Sequence, residues 1–96
     1  MSPKNKIKLN LLRRKLDKLD YQLLKTIKKR SEIIKKVLSL KSYKNEIVDK
    51  KRISIILKKI KKESLKRNID PKITQRIWKN MIWSYIDFEK RNFKKK

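Results

Sequence analysis

From Leu9 to Val37 the apolar residues fall at Leu9, Leu12, Leu16, Leu19, Leu23, Ile27, Ile34 and Val37, in steps of three and four broken only at Arg30. That spacing puts them on one face of a single long helix over about residues 6 to 38. Such a helix is roughly 50 Å long at 1.5 Å per residue, whereas a compact domain of about 100 residues has a radius of gyration near 13 Å. A chain of 96 residues cannot cover it alone. The stripe therefore predicts a two-fold dimer in which the first helix runs past its own domain and packs along a second copy.

The stretch SLKSYKNEIVDKK, residues 39–51, interrupts the stripe with Ser, Asn and Asp and reads as the first connection. Asp49 suits an N-cap. A second, shorter helix then carries Ile53, Ile56, Leu57 and Ile60 inward and ends near residues 66–68. Asp70 followed by Pro71 is the clearest start signal, an N-cap residue with proline at the first helical position. In the third helix Ile73, Ile77, Met81 and Tyr85 form one stripe, and Trp78, Ile82, Tyr85 and Glu89 form an adjoining one. Alternation of the strand type is nowhere seen, so the expected class is all-α, with three helices in one domain over 1–96. Its core spans about 9–90, with a basic tail over 91–96.

Composition removes whole classes of chemistry. With no Cys and no His there is no thiol nucleophile, imidazole base, disulfide or common zinc ligand, and no cofactor or metal is expected. With no Gly there is no phosphate-cradling loop. The N-terminal MSPKNKIKLN lacks the apolar core of a signal peptide, and no run approaches the roughly 20 apolar residues of a membrane span. A cytoplasmic protein without a membrane partner is expected. The formal charge of +23 would suit a polyanion. However, 25 of the 32 cations are Lys in a chain rich in Ile and devoid of Ala, as a compositional bias would produce. The lysines read as solvated surface and no nucleic-acid partner is expected, a basic helical nucleic-acid-binding protein being the alternative from another class.

Arg30 is the residue that breaks the apolar stripe, and a guanidinium buried alone costs several kcal/mol, so it calls for an anion. Arg13 lies beside the start of the same stripe, and Arg52 opens the second helix. Several Arg facing one apolar pocket suit a small polycarboxylate, because the planar fork gives each carboxylate two hydrogen bonds.

With these residues in place, LRRKLDKLDYQLLKTIKKR in the first helix, SLK in the loop, VDKKR at the second helix and IDPKITQRIWKNMIWSYIDFE in the third resemble the all-α, AroQ-type chorismate mutases. The resemblance covers about residues 9–90 and implies an intertwined homodimer with two equivalent sites. It implies that Arg13 reaches into the second copy's site, that Arg30 holds a substrate carboxylate within its own chain and that Arg52 is the site's arginine from the second helix. Lys41 would contact a carboxylate and the ether oxygen of the breaking bond, and Glu89 would donate a hydrogen bond to that oxygen. Asp49, Ile53, Ile56, Ile82, Tyr85 and Ile86 would complete the pocket wall, Asp49 near the ring hydroxyl. Ile53 stands where mutases commonly carry Glu. Together with the 11-residue step from Lys41 to Arg52 and the Tyr85–Ile86 pair, it resembles the isochorismate-pyruvate lyase branch of the fold.

The resemblance implies the pericyclic rearrangement of chorismate to prephenate, which needs no nucleophile, metal or proton relay. It needs the enolpyruvyl arm held over the ring and the charge on the ether oxygen stabilised. The lyase elimination makes the same two demands.

Overall fold

The structure is a computed structural model and describes residues 1–94. It is helical, with no strand among the described residues: α1 (Pro3–Leu40), a single 3-10 turn (Lys44–Glu46), α2 (Lys50–Lys66) and α3 (Pro71–Asn92). No described helix is long and apolar enough to cross a membrane. The chain divides into two compact units, Met1–Ile33 and Ile34–Lys96. Of the expected basic tail, Arg91 and Asn92 close α3, and residues 95 and 96 lie outside the described residues.

Each helix begins on a side chain that satisfies an otherwise orphaned amide. Ser2 Oγ accepts from the Asn5 amide at 3.2 Å, with Pro3 opening α1. Helix α1 thus starts about three residues before the expected residue 6, because Ser2–Pro3 repeats the signal of Asp70–Pro71. Asp49 Oδ1 accepts from the Arg52 amide at 2.9 Å, and Asp70 Oδ1 from the Lys72 amide at 2.9 Å. Helix ends are closed without glycine. At the end of α2, Asn68 takes the left-handed conformation at φ 56°, while the Ile69 amide reaches the Ser64 carbonyl at 2.9 Å and the Asn68 amide that of Leu65 at 3.3 Å. This is the reversed-turn cap in which Asn replaces the usual Gly.

The first unit is α1 helix preceded by two residues, and no side chain of α1 is buried. Leu12, Leu16, Leu19 and Leu23 of the stripe are each 56–58% exposed in the single chain. In the second unit α2 packs against α3. Its buried core is small, as expected for so short a chain: Ile47 and Ile86 are the buried apolar residues among those described, joined by Ser64, Thr74 and Glu89. Ser64 Oγ donates to the Ile60 carbonyl and lies 2.6 Å from Thr74 Oγ1. Thr74 Oγ1 in turn lies 3.4 Å from the Pro71 carbonyl, and either hydroxyl can be the donor between the two side chains. Gln75 Nε2 adds a bond to the Leu57 carbonyl at 2.9 Å. These polar ties pin α2 to α3. Of the two α3 stripes, the one ending in Glu89 turns inward, while Ile73 and Ile77 stay more than half exposed.

Candidate active site

Lys41 is the first residue after α1, and Glu89 lies in the last turn but one of α3, 48 positions later. Lys41 Nζ donates to Glu89 Oε1 at 3.0 Å. Their side chains are 17% and 6% exposed, which makes this the best-shielded ion pair among the described residues. The others, such as Arg91 with Asp87, are solvated pairs along one helix. Glu89 is thus carried inside on the buried face of α3. It sits within that face, beside the buried Ile86 and the half-buried Ile82 and Tyr85 of the same helix.

The sequence pattern explains the placement. Trp78, Ile82, Tyr85 and Glu89 recur at four, three and four residues, so an acid continues an apolar stripe and is carried inside with it. A carboxylate carried inside requires a cation with its own hydrogen bonds. Lys41 supplies it with an ammonium on a long stem.

An open groove beside this pair is lined by Lys41, Asn45, Glu46, Val48, Asp49, Lys50 and Lys51. Lys41 and Asp49 therefore share a wall. Arg52 has its amide on Asp49 and an exposed side chain. Ile53 is half-buried and lines a second groove with Leu57, Gln75 and Trp83, and Ile56 is also half-buried. Arg13 and Arg30 belong to the first unit and are exposed. Neither they nor Arg52 has an ion-pair partner among the described residues. Arg30 is exposed in the single chain, so the burial that would have called for an anion is not found there.

Sequence reasoning passed over Glu46, which shares the groove with Lys41. Its Oε1 accepts from the amides of Ser42 at 3.1 Å and Tyr43 at 2.8 Å. The available signal was an acid three residues after the start of a tight turn, in a connection with no glycine.

The described residues thus define a small all-helical protein with one cation and one carboxylate paired inside it and with Arg13, Arg30 and Arg52 exposed. A scan against family models matches the one described as chorismate mutase type II over residues 12–90, and the chain belongs to that family. Searches of curated proteins and of solved structures returned no match.

Proposed function

We propose that the protein is a cytoplasmic, cofactor-free chorismate mutase that converts chorismate to prephenate as a homodimer. Family membership supports the activity, and the observation that carries the site is the shielded contact of Lys41 with Glu89. In this reading the pair serves the ether oxygen. The Lys41 ammonium meets the charge that develops as the carbon–oxygen bond breaks, and Glu89 donates a hydrogen bond to the same atom when protonated. Donors fixed in a water-poor site act on the transition state without reorganising, worth about 3–4 kcal/mol each in comparable oxyanion sites.

Arg30 and Arg52 hold the two carboxylates, together with Arg13 from the second copy. Among the described residues no carboxylate pairs with their guanidinium groups, which leaves their forks available for a ligand. Holding both ends of the substrate converts a floppy molecule into one near its reactive conformation. Asp49 faces the ring hydroxyl, and Ile53, Ile56, Ile82, Tyr85 and Ile86 form the apolar wall.

The dimer is supported by the open leucine stripe of α1. Covering a leucine fully is worth about 1.5–3 kcal/mol, so half-covered leucines on two chains together offer on the order of 10 kcal/mol toward association. The deciding experiment incubates purified protein with chorismate and, separately, with isochorismate and identifies the products. Prephenate from chorismate establishes the proposal; pyruvate and salicylate from isochorismate, with no prephenate, would transfer the site to the lyase branch. Ile53→Glu sharpens the distinction, since an added acid strengthens chorismate binding only where a ring hydroxyl awaits a partner.

A further inference from the structure

The segment from Lys41 to Asp49 must place an ammonium accurately without glycine and without regular secondary structure beyond one 3-10 turn. On its N-terminal side the Lys41 amide is tied to the Leu38 carbonyl at 3.1 Å. On its C-terminal side the next two amides, Ser42 and Tyr43, both end on Glu46 Oε1. The turn is closed by the Glu46 amide on the Tyr43 carbonyl at 3.1 Å and the Ile47 amide on the Lys44 carbonyl at 3.2 Å. Ile47, 3% exposed, anchors it in the core.

Glu46 is also chemically conspicuous. In a chain of net charge +23 it shares a groove with Lys41, Lys50 and Lys51, yet among the described residues it forms no ion pair. Its side chain is exposed, but Oε1 accepts from two backbone amides, and a charged acceptor holds such groups more firmly than a neutral one.

We propose that Glu46 is a positioning residue for Lys41: it clamps the two peptide groups after Lys41 and so fixes where the Lys41 ammonium stands. This rests on Lys41 being a site residue. Lys41 has a long flexible stem and its contact with Glu89 is a single hydrogen bond, so its accuracy depends on a fixed backbone at its root. A displacement of about 1 Å in such a group can cost on the order of a hundredfold in rate.

The test compares Glu46→Ala with Glu46→Gln, whose amide oxygen can accept the same two amide bonds without the charge. With chorismate, Glu46→Ala lowers kcat about tenfold or more with a smaller change in KM, and Glu46→Gln stays within about threefold of the unaltered protein. In a Lys41→Met background Glu46→Ala has no further effect. Equal impairment of Gln and Ala variants, full activity of the Ala variant, or multiplying effects in the double variant would each overturn the proposal. Should circular dichroism show Glu46→Ala unfolded, Glu46→Asp, one methylene short of the two amides, takes its place. A second readout needs no turnover: the side-chain nitrogen NMR signal of Lys41, assigned by its loss in Lys41→Met. That signal shows a held ammonium in the unaltered protein and in Glu46→Gln, and a mobile one in Glu46→Ala. If chorismate is not turned over yet the signal follows this order, the proposed function fails and the positioning role stands. If turnover is normal and the signal persists in Glu46→Ala, the positioning role alone fails.

Discussion

Lys41→Met removes the cation from a carboxylate that is 4% exposed. Breaking a buried pair from one side costs about 3–5 kcal/mol, because the remaining charge is stranded. Lys41 itself retains 17% exposure, so the lower end, about 3 kcal/mol, is expected. Against a typical total of about 5–15 kcal/mol this is severe in a unit whose buried apolar residues are Ile47 and Ile86. The opposite change is milder. Glu89→Leu leaves an ammonium on a stem that can turn outward to water, at about 1 kcal/mol or less. Lys41→Met with Glu89→Leu replaces the pair by apolar groups of similar volume and should return within about 1 kcal/mol of the original stability. Activity follows a different order: all three variants lose turnover, by about 100-fold or more, as when one preorganised donor is removed. Stability is read by urea unfolding with fluorescence of Trp78 and Trp83, at one fixed protomer concentration because association shifts the midpoint. Rates are measured on chorismate. Equal costs for the two single variants, or a double variant as unstable as Lys41→Met, would show that packing rather than stranded charge governs the site. A double variant with normal turnover would remove the pair from catalysis.

Light scattering should give a dimer down to nanomolar concentration, and mixing Arg13→Ala with Arg30→Ala chains should restore one of two sites; a fully active monomer would exclude shared sites. Arg30→Lys keeps the charge but not the fork, so turnover should fall at least tenfold, about 1.4 kcal/mol, while circular dichroism stays unchanged. A carboxylic acid donates a hydrogen bond only while protonated, whereas a carboxamide donates at every pH. Glu89→Gln, which keeps a donor at the same place, should therefore retain turnover at saturating chorismate where Glu89→Leu loses it; a folded but inactive Glu89→Gln would remove the donor role from Glu89.

What the sequence made legible was local. Periods of three and four, Asp49 before α2 and Asp70–Pro71 before α3 specify helices because each acts within a turn of the chain. Ser2–Pro3 carried the same information and lengthens α1. The interior place of Glu89 was half legible, since stripe arithmetic brings it to the buried face but does not name the cation that meets it 48 residues earlier. The Ser64–Thr74 hydroxyl pair was hidden for the same reason: nothing local distinguishes a hydroxyl facing a partner helix from one facing water. Ile73 and Ile77 show the converse. Periodicity marks a face as apolar without saying what covers it, and in the single chain both remain open.

The bare leucine face of α1 bears on how the protein comes into being. A helix with no buried side chain gains little by forming before something lies against it, and an isolated helix draws most of its stability from such packing. In the dimer proposed here, the final step of folding is an encounter between two chains. Its rate then scales with protein concentration, so dilution slows maturation as well as shifting the equilibrium. At low expression each new chain waits longer with its apolar face open to proteases.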